Sequence, residues 1–140
     1  MKPIKYSVAY AIYNTDRTRV LAVLRPENDS LPNVWGLPAS MLIEGEQPEE
    51  AVIRSGKQKL GVQLKVVKYI GEGEVERETF ILHMKEYEAE IVNGKPFAPQ
   101  DIEGMTQYQK CEYKDPIILK EAAQKGSLCS RIFLEYMGLN

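Results

Sequence analysis

The chain has 140 residues, enough to bury a hydrophobic core without disulfide or metal staples and too few for a second independent domain, so residues 1–140 are read as one unit. With 44% hydrophobic and 27% charged residues, a net charge of -2, and 18 basic residues scattered among 20 acidic ones, it shows no basic footprint for a polynucleotide. Cys111, Cys129 and the sole histidine, His83, cannot supply a four-ligand zinc site, and no apolar run approaches the roughly 20 residues of a membrane span, so a cytoplasmic protein with no membrane partner and with reduced cysteines is expected.

Tyr6 to Tyr13 is almost wholly apolar or aromatic and Val20 to Leu24 wholly apolar, which predicts two strands joined by turn chemistry at Asn14-Thr15-Asp16. Arg25 to Asn33, rich in proline and asparagine, predicts a surface loop. It leads into the short apolar segment Val34-Trp35-Gly36-Leu37, where Trp35 is expected to act chiefly as a core anchor. Pro48 at a first helical position, Glu49 and Glu50 in the first turn, and Gly61 just past Leu60 predict a helix, although Gln47 is a poor cap. At 100° per residue Val52, Ile53, Gly56 and Leu60 form the side expected to pack on the sheet. Ser55, Gln58 and Lys59 share another side.

Val62 to Ile70 predicts a strand, Gly71-Glu72-Gly73-Glu74 a mobile acidic turn, and Arg77 to Glu90 a second long strand in which His83 is a hydrogen-bonded strand residue rather than a catalyst. After a turn at Asn93-Gly94-Lys95-Pro96, Asp115-Pro116 opens a helix that Lys125-Gly126 ends. Ser127 caps a final helix that stops at Gly138.

Trp35-Gly36-Leu37-Pro38, Glu44-Gly45-Glu46 and a helix ending in Leu60-Gly61 together resemble the Nudix hydrolases over essentially the whole chain. The resemblance implies an α/β/α sandwich with a mixed β-sheet, and a homodimer as a further expectation. The family box reads glycine, five residues, Glu, seven residues, Arg-Glu, apolar, any, Glu-Glu, any, glycine, apolar. With Gly61 on the last glycine, Glu46, Arg54 and Val62 match. Ser40 replaces the opening glycine, Ser55 the glutamate after the arginine, Gly56 the apolar residue, and Gln58-Lys59 the Glu-Glu pair.

Family members use Mg²⁺ or Mn²⁺, held by the helix carboxylates, to cleave a diphosphate linked to another moiety. Hard cations prefer anionic oxygens, whereas this helix face offers a hydroxyl, an amide and an ammonium. Metal-dependent hydrolysis is therefore expected to be lost, with no tightly held cofactor. Lysine is a compact ligand for phosphate, so Lys59 becomes the candidate for a small phosphate compound, with Arg25, Gln58, Ser55 and Tyr108 as further binding candidates. Arg54, Ser40 and Gly61 are structural candidates at the site, Arg54 as an ion-pair strut toward Glu46.

Two other classes stay open. In a divergent hydrolase using Mg²⁺ or Mn²⁺, Glu103 is the general-base candidate and Glu46 a residual metal ligand, with Asp101 nearby. In a protein-interaction module the pocket is vestigial.

Overall fold

The computed structural model describes residues 1–100 and 108–140. Its strands are β1 (Ile4–Ala11), β2 (Val20–Leu24), β3 (Trp35–Gly36), β4 (Ala39–Met41), β5 (Gln63–Glu76), β6 (Ile81–Asn93) and β7 (Lys110–Lys114). The helices are α1 (Pro48–Ser55), α2 (Lys120–Gln124) and α3 (Leu128–Met137). The expected mixed sheet has the order β4-β1-β6-β5, with β1 and β6 parallel and the outer pairs antiparallel. A smaller antiparallel sheet runs β3-β2-β7.

Helices cover the large sheet on both faces, which is why residues 8–11 of β1 are a continuous buried apolar run rather than an alternating one. On one face Val8 and Tyr10 pack with Ala51, Val52 and Leu60 from the α1 region. On the other, Ala9 and Ala11 pack with Ile132 and Phe133 of α3. Each large apolar side chain buried this way contributes about 1.5–3 kcal/mol before entropy is counted.

Around α1 the sequence reading needs two corrections. Glu50 Oε1 accepts the Gln47 backbone N–H at 2.8 Å, which compensates for the poor cap. The helix then widens into a π-helical turn over Gly56–Leu60, where the Gly61 N–H donates to the Gly56 carbonyl, which also accepts from the Val62 N–H at 3.1 Å. A Cβ on Gly56 would lie 2.5 Å from Leu64 Cδ1, so close packing on β5 demands glycine at a position the family box gives to an apolar residue. The buried arc is also rotated. Ala51 and Ser55 face inward while Ile53 is exposed, because hydrogen bonding makes the small hydroxyl of Ser55 burial-competent.

Gly71-Glu72-Gly73-Glu74 is not a turn but part of β5, which runs to Glu76. This stretch runs under α3, where an added Cβ would lie 3.3 Å from Leu128 Cδ1 at Gly73, a tight approach, and in ordinary contact with Ile132 at Gly71. Glu72 and Glu74 reach across to β6 and hold His83 at 2.9 and 2.8 Å, in keeping with its expected strand role. The C-terminal caps stand where the sequence puts them, although Asp115 opens a 3₁₀ turn, Pro116–Leu119, that leads into α2: it accepts from the Ile117 N–H at 3.0 Å, and Ser127 accepts from the Ser130 N–H at 3.4 Å. Among the described residues no helix is long and apolar enough to cross a membrane, and Cys111 and Cys129 are both free thiols.

Candidate functional site

The start of the box helix is tied down by one ion pair. Arg54 donates from Nε to Glu46 Oε2 at 2.8 Å and from Nη2 to Glu46 Oε1 at 3.0 Å, while Nη2 also reaches the Met41 carbonyl at 2.8 Å. Glu46 Oε1 accepts the Ile43 N–H as well, at 3.0 Å. These hydrogen bonds, Arg54's foremost, hold the Glu46 carboxyl below its ordinary range. Both oxygens are thereby engaged in bracing the loop before α1, the strut expected of Arg54. They leave Glu46 poorly placed to ligate a metal.

The substituted face of the helix divides in three. Ser55 is fully buried and sits between Tyr10 Oη at 2.8 Å and Ser40 Oγ at 2.7 Å, so its hydroxyl is satisfied inside the protein and withdrawn from solvent. Gln58 is exposed and accepts from Arg54 Nη1 at 2.9 Å. Of the three, Lys59 alone turns into the cleft beside β4, donating to the Ala39 carbonyl, while Gln58 and Arg54 border a shallow depression on the outer side of the helix. Its ammonium lies 5.5 Å from the centre of the Tyr108 ring. Burial first, then the Arg54 and Arg25 guanidiniums, lower the Lys59 pKa to about 8.

That cleft encloses about 500 Å³ between β1, β6 and the start of α3. Arg25, Lys59, Arg77 and Lys125 line it, and no acidic side chain does so among the described residues. Ser7, Ser40 and Ser127 add hydroxyls, and Phe80, Leu82 and Met84 form an apolar floor. Arg25 is held by Asp29. Arg77 donates to the Gly126 carbonyl at 3.2 Å.

Of the residues picked from sequence, Arg25, Ser40 and Lys59 thus meet in one place. Tyr108 stands behind them rather than at the rim: it is 5% exposed, accepts the Ala39 N–H at 3.1 Å, and burial pushes its phenol up to about 12. Gly61 takes a left-handed φ of 66° behind the helix, packed against Phe97. Trp35 is only half-buried, with Lys114 Nζ 4.7 Å from its ring centre, because the neighbouring Val34 and Leu37 do the anchoring. Asp101 and Glu103 lie outside the described residues.

Sequence reading missed the cleft's far wall, Lys125 through Cys129, because only the fold brings it opposite Lys59. Another depression, of about 410 Å³ beside Tyr13 and the Arg17–Glu88 ion pair, borders none of the box residues.

A family model described as the NUDIX domain matches residues 3–125. The chain belongs to the NUDIX family. Its fold agrees with that of solved NUDIX relatives. The Escherichia coli ORF135 protein is 19% identical, with a TM-score of 0.73 over 99% of this chain and 91% of that one. A NUDIX hydrolase from Nitrosomonas europaea is 18% identical, with a TM-score of 0.74 over 98% and 90%. An ADP-ribose pyrophosphatase from Streptococcus suis is 13% identical, with a TM-score of 0.61 over 81% and 75%. No curated protein matches the chain.

NUDIX hydrolases generally use Mg²⁺ or Mn²⁺, and the donors described here do not fit such an ion. Hard divalent cations take several anionic oxygens. The box helix instead presents a bonded hydroxyl, an amide already engaged by arginine and an ammonium, and the carboxylate retained in the loop before it, Glu46, is bonded at both oxygens by Arg54. Among the described residues no three His, Cys, Asp or Glu side chains are grouped to hold a metal.

Proposed function

We propose that this NUDIX domain binds a small phosphate compound, a nucleoside diphosphate or a relative of one, and that metal-dependent hydrolysis has been lost from it. One observation carries the reading: Lys59 places an ammonium in the cleft wall where the family box has a carboxylate, within a lining of cations and hydroxyls. A fixed ammonium neutralises phosphate charge as a point ligand, and partial burial strengthens the attraction by reducing solvent screening. The name of the Streptococcus suis relative supports diphosphate compounds as first ligands to try.

Calorimetric titration of inorganic pyrophosphate and ADP-ribose in the presence of chelator tests this. Saturable, salt-sensitive binding is expected, weakened at least about tenfold by Lys59→Ala. Affinity should also fall as pH rises through about 8, where Lys59 loses its proton. Unchanged affinity in Lys59→Glu would remove Lys59 from the site. Product detection with Mg²⁺ or Mn²⁺ tests the hydrolase alternative. Turnover that vanishes in Glu103→Gln or Glu46→Gln would replace the binding reading with a divergent enzyme.

A further inference from the structure

Glu86 stands on β6, on the face covered by α3, and is completely buried. Neither carboxyl oxygen has a hydrogen-bond partner among the described residues. Native interiors rarely leave such a group bare, and each exception calls for a physical explanation. Burial raises the carboxyl pKa well above the ordinary range, with the Cys129 thiol as a further contributor.

Position links this carboxyl to the cleft. In the parallel ladder Ser7 pairs with Met84 and, one step further along the same face, Ala9 pairs with Glu86. Ser7, Met84 and Cys129 all line the cleft, so Glu86 is one ladder step from a lining residue of β6 and neighbours a second, Cys129, on α3. Its neighbours across the sheet are the smallest available, Ala9 on β1 and Gly71 on β5. Met84, unbranched and pliable, precedes Glu86 by one step on this face of β6 and itself lines the open volume, and a thioether can shift rotamer at little cost.

We infer that Glu86 is the recognition group of a deep subsite behind Met84, which takes a planar edge bearing an N–H donor, such as an amidine, an aminopyridine or a primary amide. Two unpartnered oxygens side by side match two parallel hydrogen bonds. A protonated carboxyl pairs with an N–H beside an acceptor, and an ionised one with two N–H groups. The inference rests on the phosphate reading only in placing the ligand's anionic end at Lys59, and it gives the opposite end a chemistry.

The test uses small probes that carry no phosphate. In protein labelled with ¹³C-glutamate, the Glu86 Cδ resonance is identified by its loss in Glu86→Gln. 2-Aminopyridine should shift that resonance saturably and bind at least about tenfold more tightly than toluene, a shape analogue without hydrogen-bonding groups. In Glu86→Leu the preference should fall to within about twofold, and Glu86→Gln, which keeps one donor and one acceptor, should retain part of it. Equal binding of the two probes, no binding of either, or an unmoved Glu86 resonance would overturn the subsite. Pyrophosphate titration is read separately. Its failure alone sinks the phosphate reading, and failure of the 2-aminopyridine preference alone sinks this one.

Discussion

Glu46 and Glu86 are both largely shielded from solvent, yet they sit in opposite circumstances. Glu46 is saturated by Arg54 and a backbone N–H, whereas Glu86 has no partner among the described residues. The first carboxylate braces a loop and is held in its charged form. The second opposes ionisation and weakens the core it occupies. The architectural half of the NUDIX box has therefore been kept, and the unsatisfied carboxyl lies elsewhere, in the core under α3.

Opposite signs of effect on stability would sharpen that contrast. Glu46→Ala leaves the Arg54 guanidinium with neutral partners only, Gln58 and the Met41 carbonyl, where both ion-pair side chains were mostly covered, 13% and 22% exposed, and is expected to cost about 3 kcal/mol in urea unfolding. A loss below about 1 kcal/mol would show the strut to be a surface pair of little weight. Gly56→Ala, which drives a methyl into Leu64, should cost about 2 kcal/mol with the ion pair intact. If it is neutral, the π-helical turn is not set by that close approach.

Glu86→Leu should instead stabilise the protein, by about 1 kcal/mol near neutral pH. The pH dependence has a definite sign. An unfolded glutamate loses its proton near pH 4.3, while folded Glu86 keeps its own to higher pH, so the native state binds the extra proton. The wild type consequently loses stability as pH rises above about 4.3 until the folded pKa is passed. Thermal melts should show the advantage of Glu86→Leu widening over that interval, and a constant gap would contradict burial as the cause. The smallest effect is the control: Lys65 and Glu90 form a pair with 64% and 54% exposed side chains, and Glu90→Gln should change stability by less than about 0.5 kcal/mol.

Local chemistry made much of this legible beforehand. Val20 to Leu24, the Asp115 and Ser127 caps and the Gly138 stop depend on neighbours in sequence, and each is found where its residue types predict. Gly71 to Glu74 misled because glycine serves a turn and a close helix crossing equally well, and only the position of α3 decides between them. Ser55 misled because its polarity is satisfied by Tyr10 and Ser40, distant in the chain. At the site, the replacement of carboxylates by Ser55, Gln58 and Lys59 was readable, but which of the three faces the cleft was not. Glu86 reads in sequence as one of several acids on an ordinary strand. Its isolation arises from a sheet covered on both faces.

The parallel pairing of β1 with β6 also governs how the chain can assemble. Ile4 finds its partner only in Ile81, and Ala11 only in Glu88. Closing so long a loop is entropically costly, and contacts this distant in sequence slow folding relative to local ones. During synthesis the first strand leaves the ribosome with its most apolar stretch unpaired, at about 5–20 residues per second, and waits several seconds for the strand that will cover it. The β5–β6 ribbon, whose strands are adjacent in sequence, can form as soon as both have emerged. The residues of β1 are thus among the last to gain their central neighbour.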